Sequence, residues 1–233
     1  MLEKTRSFYR AFCEDKEVVL EETGIDGLRW IENNFFTTSA SSRIILPNPN
    51  QRAFSVVVHG GDFSDSDHNG YEYYGIHLGQ DDVLCFLTYD DRLIRGDFVD
   101  CRAESKTLHK RITLEYGGHP DRSLVIPRGV AHIFDNLKCM TTINQARHYI
   151  DFYNKDFNKA SDVINVKRGA LLDEFPVLRP NRYPAPSWVI GVSLKLQRIN
   201  AKNKREYPFN FMIDGKIRTV YSEQAGEQYK IQS

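Results

Sequence analysis

From residue 35 to residue 150 the chain is written in short apolar or β-branched runs, each cut off by glycine, proline, asparagine or aspartate. "RIIL" stops at Pro47 and Pro49, and "AFSVVV" ends at His59 and a glycine pair. "YEYYGIH", "DVLCFLTY" and "DFVD" follow in quick succession. In "LHKRITLEYGG", Ile112, Leu114 and Tyr116 alternate with polar residues, the two-residue period of a strand with one buried face. "RSLVIP", "VAHIF" and "CMTTINQ" extend the series. Roughly eight to ten short strands on short turns leave few ways to bury every apolar face, and they predict an all-β sandwich or barrel.

The flanks have a different texture. Residues 2–16 carry Phe8 and Phe12 four apart among charges, which predicts a short helix with one apolar face. "EVVLEETGIDGLRWIENNFF" reads as strand and turn around Gly24 and Gly27. Residues 151–175 lose the strand rhythm and read as loop with one helical turn. "PVLRPNRYPAPSW" holds four of the nine prolines and reads as an extended linker or arm. Beyond it, "WVIGVSLKLQRI" and "REYPFNFMIDGKIRTVYS" are strand candidates joined by the polar "NAKNK", a hairpin. The expected division is an N-terminal arm at 1–23, a core at 24–175, and a proline-rich linker with a C-terminal hairpin extension at 176–233.

Charge narrows the partners. Lys+Arg and Asp+Glu balance at 31 each, so no net field draws the chain to nucleic acid or to an anionic membrane, although a local anion pocket remains open. No stretch approaches the roughly 18 apolar residues of a membrane span. The charged start carries no apolar signal core, which points to the cytoplasm. Cys13, Cys85, Cys101 and Cys139 are scattered, with no CxxC spacing, and read as reduced and buried.

The stretch with chemistry in it is "SLVIPRGVAHIFDNL", residues 123–137. Pro127 ends one strand and Gly129 permits a tight reversal. The next strand then sends Val130, His132 and Phe134 to one face and Ala131, Ile133 and Asp135 to the other. Because Val130 and Phe134 are apolar, His132 is expected to point inward.

The P-x-G-x-x-H-x-x-x-N pattern of Pro127, Gly129, His132 and Asn136 resembles the second motif of the cupin superfamily. The longer phrase L-x-IP-x-G-x-AH-x-F resembles the dTDP-4-dehydrorhamnose 3,5-epimerase family. "GIDGLRWIENNFF" looks like that family's opening strand, and "FVDCRAESKTLHKRITLE" its V-D-x-R-x-x-S-x-T segment. The resemblance covers roughly residues 24–165 and implies a cupin-type jelly roll that pairs as a homodimer. It implies a cytoplasmic isomerase of carbohydrate biosynthesis that takes a nucleotide sugar, needs no cofactor, and moves a proton next to a ketone. His77, in "Tyr74-Gly75-Ile76-His77", holds the place of the general base, with Tyr74 where the family has arginine. A histidine suits the step because its ordinary pKa lies near working pH. His132 would polarise an oxygen. Tyr74, Arg102, Arg128 and Asn144 are the candidate substrate-binding residues, with Lys138 as a further cation for a diphosphate; forked guanidinium groups match phosphate oxygens.

Several family positions are not kept. The lysine's place falls near Cys85, and the tyrosine acid's near Ile143 or Asn144. "DVINVKRG" stands where a W-N-D phrase would supply an aspartate to the base histidine. Two other readings therefore stay open: a non-catalytic cupin that binds a sugar or small metabolite, and a metal-dependent cupin enzyme. Metal-binding cupins carry H-x-H and a glutamate in their first motif. No H-x-H exists here, and His59, His68 and His77 are widely spaced, so no metal site is expected unless separate strands converge.

Overall fold

The computed structural model describes residues 17–33, 35–39, 42–45, 54–59, 71–88, 90–150, 157–158, 163–185, 209–213, 216–222 and 228–232. Its strands, in chain order, are β1 (Val19–Glu22), β2 (Arg29–Glu32), β3 (Phe35–Ser39), β4 (Ser42–Ile45), β5 (Ser55–Val58), β6 (Tyr73–His77) and β7 (Gln80–Leu87). Then come β8 (Leu93–Asp100), β9 (Arg111–Gly117), β10 (Arg122–Ile126), β11 (Val130–Asp135), β12 (Thr141–Asn144) and β13 (Arg147–Ile150). The last are β14 (Phe157–Asn158), β15 (Val163–Lys167), β16 (Tyr183–Pro184), β17 (Phe209–Ile213), β18 (Lys216–Ser222) and β19 (Gln228–Gln232). A single 3-10 turn, Leu172–Glu174, is the one helical element among the described residues.

Two antiparallel sheets make the body. One runs β1-β2-β10-β7-β12-β5, with β13 and β16 joined to it through β7; the other runs β15-β6-β11-β8-β9. From β5 to β12 the chain changes sheet at nearly every step. Strands consecutive in sequence therefore face each other across the core instead of pairing side by side, and the fold is an all-β jelly roll.

Alternation decides what faces what. Trp30, Leu84, Phe86, Leu124 and Ile126 from the eight-stranded sheet meet Ile94, Phe98, Tyr116, Val130 and Phe134 from the five-stranded one. The aromatic rings interlock edge to face: Trp30 on Tyr116 at 4.7 Å, Phe86 on Phe134 at 5.4 Å and Phe98 on Phe134 at 5.8 Å between centroids. Each such pair adds about 0.5–1.5 kcal/mol beyond its buried area. Ala131 and Ile133 take the opposite face of β11 and pack with Tyr74, Ile76 and Phe175 in a second cluster. The expected facing of β11 is the observed one.

The flanks answer the expectations unevenly. β15, expected as loop, is a strand whose residues Val163 to Lys167 pair with His77 back to Tyr73. Its apolar residues alternate only over Ile164 and Val166, too short a signal to stand out from a loop. Of the two readings of the proline-rich stretch, residues 176–185 follow the arm: Leu178 exchanges backbone hydrogen bonds with Cys101 and Ala103, and Tyr183–Pro184 pairs with β13. Proline removes donors but leaves carbonyls able to dock. The second strand candidate is itself a hairpin of β17 and β18, to which β19 adds a third strand, and the hairpin expected across "NAKNK" falls on residues outside those described. The Phe8/Phe12 helix, His68 and "WVIGVSLKLQRI" lie outside the described residues. Among the described residues no helix is long and apolar enough to cross a membrane. Cys85 and Cys101 are free and buried, and burial pushes each thiol up to about 11; Cys139 is free but exposed.

Candidate active site

The turn between β10 and β11 fixes the site's frame. Gly129 has φ +81°, in the left-handed region, and a Cβ there would lie 2.6 Å from both Arg102 Cγ and Pro180 Cγ. Glycine alone lets this turn come close enough for the Gly129 N–H to donate to the His77 carbonyl at 2.7 Å. That bond ties the end of β6 to the start of β11. Within the sheet His132 lies opposite Gly75, two residues before His77 on the cavity face of β6.

The two imidazoles therefore converge, with ring centroids 5.9 Å apart. Between them stands Asp82, on the facing sheet. Its Oδ2 is 3.4 Å from Nε2 of His77 and 3.4 Å from Nε2 of His132. Its Oδ1 accepts from Gln80 Nε2 at 2.5 Å and from Asn144 Nδ2 at 2.7 Å. Asn144 is itself pinned, its Oδ1 accepting the Val83 N–H at 3.1 Å. A carboxylate that is 3% exposed is costly unless its lone pairs are met. Here two side-chain amides meet one oxygen, and the other is left to the histidines.

His132 faces an acceptor at each ring nitrogen. Its Nδ1 lies 3.2 Å from the Val130 carbonyl and its Nε2 3.4 Å from Asp82 Oδ2, and both oxygens only accept. A neutral ring carries one N–H and serves one of them; with the proton on Nδ1, Nε2 presents a lone pair to Oδ2. Burial lowers the His132 pKa, Asp82 pulls it back up and His77 lowers it further, with a net downward shift. Two acceptors facing one another at this range favour a positive charge between them, either a proton or a cation.

The cluster lies in a cavity of about 480 Å³ between the sheets. His59, on the chain after β5, also lines it; its Nε2 is 2.9 Å from Thr142 Oγ1, and burial lowers its pKa. Leu84, Phe86 and Phe134 make an apolar wall, while Tyr71 and Tyr73, about half exposed, stand with Glu72 on the lining. Among the described residues no lysine or arginine lines this cavity.

The sequence-predicted residues divide. His77, His132 and Asn144 meet here, with Asn144 gripping Asp82. Tyr74 does not: alternation turns it to the other face of β6, where it is 1% exposed, donates to Asp97 at 2.8 Å and accepts from Arg111 at 2.7 Å. Burial first, then Asp97, pushes its phenol up to about 12. Arg102 and Arg128 line a different cavity. Arg102 is held by Asp100, which also takes Ser105 Oγ at 2.5 Å and Thr107 Oγ1 at 2.7 Å. The D-x-R-x-x-S-x-T phrase is thus a buried knot that closes the β8–β9 connection. Arg128 binds Asp81 at 2.9 Å and stacks over Tyr149 at 3.5 Å from the ring centroid. Lys138 lines neither cavity.

Asp82 is the residue that sequence reasoning passed over. The place near Cys85 considered for the family's lysine faces away from the cavity, and Gln80, Asp82, Leu84 and Phe86 are the β7 residues that reach it. The signal was present: strand alternation puts Asp82 on the face of Leu84 and Phe86, and an acid on an apolar face needs a partner. His77, Asp82 and His132 also bring their donor atoms within 4.8 Å of one another, so two histidines and a carboxylate converge from separate strands without an H-x-H motif.

No protein-family model matches the chain, and no curated protein matches it. Solved structures do. A dTDP-4-dehydrorhamnose 3,5-epimerase from Bacillus anthracis, with TDP and PPi bound, is 16% identical, covers 72% of this chain and 93% of its own, and superposes with a TM-score of 0.45. The Mycobacterium tuberculosis rmlC epimerase is 13% identical, with 81% and 92% covered and a TM-score of 0.45. A dTDP-6-deoxy-D-glucose-3,5-epimerase from Legionella pneumophila, in complex with dTDP-4-keto-L-rhamnose, is 18% identical, with 60% and 79% covered and a TM-score of 0.38. These solved structures are what the chain is similar to, at 13% to 18% identity.

Proposed function

We propose that this protein is an isomerase that removes and returns a proton next to the ketone of a sugar. The observation that carries the reading is a single carboxylate oxygen shared by two imidazoles on the lining of one cavity. In the step, His77 takes the proton from the carbon beside the carbonyl. The C–H electron pair moves into the C–C bond, and the carbonyl oxygen becomes an enolate. Asp82 favours the imidazolium that results, which a buried ring by itself resists. His132, beside it, meets the developing charge on oxygen once its Nε2 is protonated. Return of the proton to the opposite face of that carbon gives the epimer, and its delivery to the former carbonyl carbon, with the neighbouring hydroxyl giving up its own proton, gives the ketoisomer. The substrate proposed is a 4-keto-6-deoxy sugar on a nucleoside diphosphate, a class supported by the sequence phrase around His132.

The test is deuterium wash-in. The protein is incubated with a dTDP-4-keto-6-deoxy sugar in heavy water, and the C3 and C5 protons are followed by NMR. Exchange above the protein-free control that is lost in His77→Ala, with a melting temperature close to wild type, supports the reading. Binding without exchange would instead favour a non-catalytic sugar-binding role.

A second reading rests on the same three side chains. Ligand atoms of His77, Asp82 and His132 within 4.8 Å of one another are also what a divalent cation would bridge, and two histidines with one carboxylate suit zinc, manganese or ferrous iron. His77, His132 and Asp82 would hold the ion, which would polarise a bound oxygen. Metal analysis of the purified protein, before and after loading with each ion, separates the readings. One equivalent that is absent from Asp82→Asn favours the metal.

A further inference from the structure

Behind β7 lies a second cavity, of about 380 Å³, on the outer side of the eight-stranded sheet. Asp81 lines it while its neighbour Asp82 lines the histidine cavity, so the two hollows stand back to back across one strand. The second cavity collects six guanidinium groups, those of Arg29, Arg102, Arg128, Arg147, Arg179 and Arg182, against three carboxylates, Asp26, Asp81 and Glu104. These arginines come from β2, the β8–β9 connection, the β10–β11 turn, β13 and the segment after Leu178, so the fold and not a local run of charge gathers them.

Their partners show which charges are already spent. Arg102 belongs to Asp100 and Arg128 to Asp81, each in a half-buried pair that fixes the wall. Arg182 pairs with Glu104 in solvent, at 62% and 70% exposure, a contact of little strength. Arg29 and Arg147 both bind Glu17, two cations on one carboxylate. Burial works against the Glu17 charge, yet Arg147 and Arg29 hold its pKa below the ordinary value. That trio keeps one uncompensated positive charge, and Arg147 uses only Nη2 among the described residues. Arg179 has no hydrogen bond or ion pair to any described residue and stands exposed on the same lining. Gly27, Pro127 and Pro180 complete stiff walls around the surplus.

We infer that this cavity is a binding site for a phosphoryl anion, separate from the histidine cavity and independent of the chemistry proposed there. Arg147 and Arg179 are its gripping residues. Their planar forks offer paired N–H donors to two oxygens of one phosphoryl group, and Arg29 adds charge from the side. The same chemistry is offered by inorganic diphosphate and by the diphosphate of a nucleotide.

The experiment is titration calorimetry on the full chain with inorganic phosphate, inorganic diphosphate and thymidine diphosphate, in buffers matched for ionic strength with chloride. Binding of at least one of them, weakened about tenfold or more by Arg179→Ala and by Arg147→Lys but unchanged in Asp82→Asn, is the expected result. Arg179 is exposed and its replacement by alanine removes no hydrogen bond or ion pair to a described residue, so the fold is expected to hold, and melting curves check both variants. Tighter binding of thymidine diphosphate than of diphosphate identifies a nucleotide as the source; equal binding identifies the free anion. The inference is overturned if none binds above the chloride control. It is equally overturned if binding survives both arginine substitutions or disappears in Asp82→Asn, which would move the ligand to the histidine cavity.

Discussion

Asp82 illustrates how much one residue's surroundings determine. Its two oxygens have separate duties, one clamped by Gln80 and Asn144 and the other shared by His77 and His132. The His132 shift sets a pH dependence. With its folded pKa below the ordinary 6.5, the unfolded chain takes up the proton first as pH falls. The stability this residue confers is complete above that ordinary value and is lost as pH drops towards the folded pKa. Urea midpoints are expected to fall from pH 7.5 to pH 5.5, and less so in His132→Gln. Asp82→Asn removes the charge that raises the His132 pKa, so NMR titration should find the ring titrating lower still. A His132 pKa unchanged in that variant would refute the coupling.

At the scale of elements, the β10–β11 turn carries the site. It sets the start of β11 and binds the end of β6 through the Gly129 N–H. A left-handed backbone costs a side-chain-bearing residue about 1–2 kcal/mol, and the Cβ contacts with Arg102 and Pro180 add strain. Gly129→Ala should therefore lower unfolding free energy by about 2 kcal/mol or more, read from urea denaturation. The β8–β9 knot is the other device. Asp100, fully buried, accepts from Arg102, Ser105 and Thr107, and Asp100→Ala would strand the Arg102 charge at a cost of about 3–5 kcal/mol. The same loss of function from this variant as from His77→Ala, but with a much lower melting temperature, would mark it as structural.

Across the whole molecule a column of rings runs from core to site: Trp30, Tyr116, Phe86, Phe134 and His132 touch in sequence, and His77 completes the line. Core packing and site geometry are thus one structure. Phe98, 0% exposed and set against Phe134, has no solvent to collapse into. Phe98→Ala should cost about 3–5 kcal/mol, with near-UV and far-UV signals lost together in one transition.

The sequence by itself determined the all-β class, the inward facing of His132 and the Pro127–Gly129 reversal, because each follows from strand alternation or from local backbone limits. Through the family resemblance alone it put His77 and His132 forward as candidates for one site. Only the tertiary structure decided that Asp82 joins them, that Tyr74 turns away, and that Arg102 and Arg128 serve another cavity. Those outcomes depend on which strands of a jelly roll become neighbours, and residues five or fifty positions apart meet only after the sheets close. β15 was missed for the same reason: five residues with little alternation become a strand when the open edge of β6 supplies the hydrogen bonds.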